Sequence, residues 1–126
     1  MDQSNQIEVY CDSANTTNKI VTIYGTKITV ESLKRNVARL TNQIWKLIPM
    51  RENNEDWQKQ INNVKLELIG LNAIFNFDSN YLHLLANLEA LLIVDTEFTQ
   101  YRSKVFESIN LLGECCKNAI KQNRTR

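Results

Sequence analysis

One histidine, His83, and three cysteines, Cys11, Cys115 and Cys116, are the side chains best suited to acid–base or nucleophilic chemistry near neutral pH. Imidazole catalysis needs a carboxylate or a nucleophile within reach. On a helix the neighbours of His83 at three and four residues are Ser79, Asn80, Ala86 and Asn87, none a strong catalytic partner. His83 therefore reads as a residue on the partly polar side of its helix. Metal ions need several ligands at set spacings. The sequence has no Cys-x-x-Cys, no second His four residues away and no Glu-x-x-His, since Asn80 stands where that Glu would be. No catalytic residue, metal or cofactor is expected.

Cys115 and Cys116 point to different sides of one helix. Cys116 falls on the apolar stripe and reads as a small core residue, whereas Cys115 is expected nearer solvent. A helix C-terminus disfavours thiolate, so redox chemistry is not the expected role. Gly25, Gly70 and Gly113 are isolated, and no glycine-rich loop is present to cradle phosphate. Gly70 and Gly113 fall inside helical patterns, where each costs about 1 kcal/mol relative to Ala. Close approach of another helix is one reading, and a tolerated local cost is the other.

The best-defined surface feature is basic. Arg35, Arg39, Asn42 and Lys46 follow at 4-3-4 spacing on one helix, opposite its apolar seam, and Lys34 flanks them. Glu31 is the one acid beside them, four residues from Arg35. Lys34, Arg35, Arg39 and Lys46 are the candidate contacts for an acidic protein or for phosphates. The plainer reading is a solvated helix face. Trp45 lies only at the margin of the stripe, so no base-stacking platform is indicated. Net charge is +1, but it is unevenly spread. Residues 27–51 sum to about +5 and residues 52–116 to about −6. The stripe therefore has a second candidate partner, another copy of the same chain.

These side chains must be held by a fold, and 126 residues at 43% hydrophobic and 23% charged predict one domain with a real core. Residues 1–30 predict an N-terminal antiparallel β-hairpin or three-stranded meander. Ile7, Val9 and Cys11 alternate with polar neighbours, Ile20 to Ile23 are rich in β-branched residues, and Gly25 suits a tight turn. Residues 31–121 predict a mainly α bundle of three or four helices, and 122–126 a frayed basic tail.

The first helix is capped by Thr29 and carries Val30, Leu33, Val37, Leu40, Ile44 and Leu47 at 3-4-3-4-3 spacing. Pro49 is expected to end it, with a loop over Met50 to Asn53. The second, capped by Asn53 or Asn54, carries Trp57, Ile61, Val64, Leu68, Leu71 and Phe75. The third, capped by Asp78 or Ser79, runs from Tyr81 to Val94 and is apolar nearly all round, which predicts a central position. The fourth carries Phe98, Tyr101, Val105, Ile109, Leu112, Cys116 and Ala119. Asp95-Thr96 reads as a break, in keeping with ordinary helix lengths. An unbroken 4-3 rhythm from Phe77 to Leu112 also permits one continuous helix over 79–121, with Asp95 and Arg102 as polar residues in an apolar seam.

The coiled-coil spacing of four stripes predicts a homo-oligomer, a dimer first of all, with Asp95, Tyr101 and Arg102 as candidate seam or ligand residues. The longest apolar stretch, Leu82 to Val94, is too short and too interrupted to span a membrane. No charged-then-apolar leader follows Met1, so no membrane contact and a cytoplasmic location are expected. Sixteen asparagines point to an AT-rich genome, with a microbial, phage or mobile-element source among the candidates. The expected function is a non-enzymatic, oligomeric interaction protein, such as a small adaptor or inhibitor docking on a larger protein or nucleoprotein assembly. The alternatives are a nucleic-acid-binding accessory subunit using the basic stripe, and a protein that sequesters a small anionic ligand or nucleotide through Tyr101 and Arg102.

Overall fold

A computed structural model of the chain describes residues 19–21, 27–76, 78–93 and 96–124. Two three-residue strands, β1 (Lys19–Val21) and β2 (Lys27–Thr29), run antiparallel with Ile20 opposite Ile28. The expected turn at Gly25 and the strand expected around Ile7 to Cys11 lie outside the described residues, among which there is no third strand. The rest is mainly helical: α1 (Val30–Trp45), α2 (Leu47–Glu52), α3 (Trp57–Gly70), α4 (Asn72–Phe75), α5 (Ser79–Leu91) and α6 (Phe98–Arg124).

Local chemistry sets the helix ends. Thr29 is extended, and its hydroxyl accepts the Ser32 N–H at 3.0 Å, with Glu31 in the first turn. The chain does not leave the helical region at Pro49 as expected. One residue, Lys46, itself at φ −65° and ψ −17°, separates α1 from α2, and Pro49 sits in the first turn of α2. There its missing N–H costs nothing, because the first amides of a helix have no partner to lose. The loop expected from Met50 is instead helix as far as Glu52. Asn54, left-handed at φ 57°, closes α2, with the Glu55 N–H on the Met50 carbonyl and the Asn54 N–H on the Arg51 carbonyl. Asn53 and Asn54 thus end a helix rather than begin one. Asp56 caps α3 by accepting the Lys59 N–H at 3.2 Å.

Asp78 caps α5, its Oδ1 accepting the Asn80 N–H at 2.7 Å. Its Oδ2 accepts from the Asn118 amide at 2.9 Å, which ties the start of α5 to the far end of α6. Residues 79–121 therefore form two helices that fold back on each other, not one.

The helical stripes close on one another within the chain. Leu33, Leu40, Ile44, Leu47, Ile61, Val64, Leu68, Leu84, Leu88, Leu91, Val105 and Leu112 are all fully buried in one continuous core. Apolar side chains of this kind gain roughly 1.5–3 kcal/mol each on burial. The stripes are thus used up internally and do not remain as seams for another copy.

The central element is α6, which packs on α1, α2, α4, α5 and β1. That corrects the expectation for Tyr81 to Val94. One side of α5 buries Tyr81, Leu84, Leu88 and Leu91, while Leu82 and Ile93 stay exposed. Neither Gly70 nor Gly113 has a heavy atom within 4 Å of where a Cβ would stand, so close helix approach is not their role.

Two buried tyrosines bridge elements through their hydroxyls. Tyr81 donates to the Leu68 carbonyl at 2.9 Å, and Tyr101 to the Leu47 carbonyl at 3.0 Å. Tyr101→Phe should lower unfolding stability by about 1–2 kcal/mol, the cost of leaving a buried carbonyl without its donor. Urea titration checks this through a lower midpoint at unchanged slope.

Candidate interaction surface

The junction of α2, α3 and α6 decides what reaches the surface. The Arg51 guanidinium lies over three rings, 4.5 Å from the Tyr101 centroid, 5.5 Å from Trp57 and 6.0 Å from Phe98. It also donates through Nη2 to the Thr96 carbonyl in the turn between α5 and α6. Arg51 Nη1 is buried and has no hydrogen-bond partner. Ring faces are negative, so the three aromatics supply part of the environment that water would otherwise give the cation. Tyr101 meets Trp57 edge-on at 5.4 Å and stacks on Phe98 at 6.2 Å.

Tyr101 is therefore not a ligand contact. It is fully buried, its hydroxyl is taken by Leu47, and burial pushes its pKa up to about 12. Asp95 lies outside the described residues. Arg102, one residue on, has the opposite fate. It is exposed, and its guanidinium lies 5.5 Å above the Phe106 ring.

Phe106 in turn meets Trp45 at the end of α1, ring centroids 5.0 Å apart and 77° between planes. Both rings remain open to solvent, Trp45 at 44% and Phe106 at 36%. Phe98, Thr99, Arg102, Ser103 and Phe106 line a shallow groove of about 340 Å³ along α6. Lys46 follows Trp45 and is exposed. The surface thus combines an aromatic pair and an arginine lying on one of its rings, and the next residue in the chain after Trp45 is an exposed lysine. The 3-4 spacing within α6 placed Arg102 and Phe106 together; Trp45 joins them only through the packing of α1 on α6.

The basic stripe is partly consumed. Arg39 is paired with Glu67 of α3 at 2.6 Å, an exposed bridge that helps fix α1 on α3 and adds little stability. Lys34, Arg35 and Lys46 stay exposed, with no ion pair among the described residues. The row of cations is therefore interrupted at its centre.

His83 does face a carboxylate, which helix spacing alone did not reveal. Glu107 of α6 lies 3.6 Å from its Nε2 and accepts the Asn87 amide at 2.9 Å. Both members of the His83–Glu107 pair are about half exposed, so water screens them. Among the described residues no group of three His, Cys, Asp or Glu is placed to hold a metal ion. No helix there is long and apolar enough to cross a membrane.

Cys115 is not near solvent as expected but only 1% exposed, beside Asp78. Burial first, and then the Asp78 charge, raise its thiol to about 12. Burial also raises Cys116. Comparison with protein-family models, curated proteins and solved structures returns no match.

Two outcomes follow from the thiol and the tyrosine. Cys115 should resist alkylation at pH 8 in the native chain and react only on unfolding, as thiol titration with and without denaturant would register. Cys115 and Tyr101 are raised from 9.0 and 10.0 to about 12. The fold holds both in their neutral forms, so their contribution is complete below pH 9 and is lost as pH rises toward 12. Thermal melts across that range should show a falling midpoint, and Tyr101→Phe should flatten the fall.

Proposed function

We propose that this chain is a non-enzymatic interaction protein, a small adaptor or inhibitor acting in the cytoplasm, and that it docks on other proteins through the α1/α6 face. The observation that carries this reading is the exposed Trp45–Phe106 pair with Arg102 lying on it. Trp, Phe and Arg are enriched at the anchoring centres of protein interfaces and depleted from idle surface. The groove beside them accepts a side chain of a partner, and Lys46 favours an acidic one. The free, buried thiols of Cys115 and Cys116 suit a reducing compartment.

A nucleic-acid reading is less well supported. Trp45 and Phe106 meet edge to face, and Arg102 covers one of the ring faces, so no stacking platform is offered. The pairing of Arg39 with Glu67 interrupts the cations that would track a phosphate backbone. Sequestration of a small anion loses one of its two expected contacts, because Tyr101 is enclosed.

Affinity capture from source cells with the wild-type chain and with a Phe106→Ala, Arg102→Glu variant tests the proposal. A discrete protein retained by the first and lost by the second, with both folded by circular dichroism, is the expected result. The same bound set for both chains, or salt-labile nucleic acid as the only captured species, overturns it.

A further inference from the structure

The chain from Trp45 to Arg51 runs alongside the α6 groove, with Trp45 on Phe106, the Leu47 carbonyl on Tyr101 and Arg51 over Phe98; a cation stands near its start and acids follow its end. At one end stand Trp45, Lys46 and Phe106, and Arg102 leans that way because its guanidinium lies over the Phe106 ring. At the other end is Phe98, within reach of the Arg51 cage. Exposed Glu52 ends α2, exposed Glu55 and Asp56 follow in the turn before Trp57, the other cage residue on that side, and Glu97 immediately precedes Phe98. Arg51 itself is turned into the cage, and Lys59 is the nearby exposed cation. Lys46 precedes α2 and Glu52 is its last residue, a span of about 9 Å at helical rise. Lys46, Arg102, Glu52, Glu55 and Glu97 form no ion pairs among the described residues.

A surface with cations beside its aromatic pair and acids about two helical turns away along α2 is self-complementary in charge. A two-fold rotation about the middle of the groove lays each basic end on the acidic end of the other copy. We infer that a second copy of this chain seats on the α6 groove across a two-fold axis. Lys46 and Arg102 of each copy face Glu52 and Glu55 of the other, and Trp45 and Phe106 are covered. This takes its surface from the function proposed above and names its occupant. Burying the aromatic pair supplies the affinity, and the charges set the orientation. The helical stripes play no part, since they are closed within each chain.

Sedimentation equilibrium of the full chain, at salt concentrations of about 0.05 and 0.5 M, tests this. A monomer–dimer equilibrium is expected, weakened about tenfold or more at high salt. Lys46→Glu and Glu55→Lys should each raise the dissociation constant by about tenfold, and the doubly reversed chain should return to within about threefold of wild type. Lys121→Glu, near the far end of α6, should leave it unchanged. Phe106→Ala should abolish the dimer while circular dichroism remains native.

A chain that stays monomeric up to about 1 mM overturns the inference. So does a dimer indifferent to Lys46→Glu, or one that the double reversal does not restore. If the chain is monomeric yet still captures a protein through Phe106 and Arg102, only the second copy is ruled out. If it forms the charge-sensitive dimer and captures nothing, the dimer stands and docking on another protein falls.

Discussion

The position of α6 depends on one cation held among three rings. Arg51 reaches Trp57 at the start of α3, Phe98 and Tyr101 at the start of α6, and the Thr96 carbonyl in the turn before it. With Tyr101 also hydrogen-bonded to Leu47, the first turn of α6 is fixed to α2 from both sides. Everything downstream on α6 takes its register from that anchor. Four residues past Arg102 comes Phe106, opposite Trp45, and further along Asn118 meets the Asp78 cap of α5. A guanidinium suits this position better than an ammonium would, because its flat face stacks on rings while its edge still donates.

Closing the apolar stripes has a second consequence for the surface. With the inward-facing leucines and isoleucines of α1, α3, α5 and α6 buried together, Trp45 and Phe106 are among the large apolar groups left outside, as are Leu66 and Ile69 of α3. Trp45 and Phe106 touch each other and stand on helices whose opposite sides enter the core. Rings fixed in this way lose little freedom when a partner covers them, which is why rigid aromatic side chains serve well as anchors. The charges divide in the same manner. Arg39 and Lys65 are engaged with Glu67 and Glu89 of neighbouring helices, and the cations and acids beside the groove stay open.

Much of this was legible in the chain. The apolar spacings located four helices and most of their buried residues, because a 3-4 rhythm has only one way to face a core. Thr29 and Asp78 announced helix starts through side-chain oxygens that accept amide protons. Where reading failed, a competing local rule or a distant partner intervened. Pro49 marks a helix end in most contexts but is tolerated in a first turn, and the break between α1 and α2 at Lys46 puts it in one. Asn54 suits a cap before α3 because asparagine serves at both ends of helices; its left-handed φ shows it closing α2. Of the candidate site residues, Lys34, Arg35, Lys46 and Arg102 are exposed, Arg39 is paired, and Tyr101 is buried. Sequence spacing does not bring Trp45, Phe106 and Arg51 forward as site residues, although an aromatic or arginine off the apolar stripe is the signal available.

By itself the sequence determined the helical class, the faces that turn inward and the chemistry that is scarce, since periodicity and residue type are properties of the chain alone. Only the tertiary structure decided that residues 79–121 fold back as two helices, because an unbroken 4-3 rhythm is compatible with either outcome and long-range packing chooses. It also decided that α6 lies at the centre, that His83 meets Glu107, and that Trp45 meets Phe106. Each of these joins residues more than twenty positions apart, a separation at which local propensity carries no information.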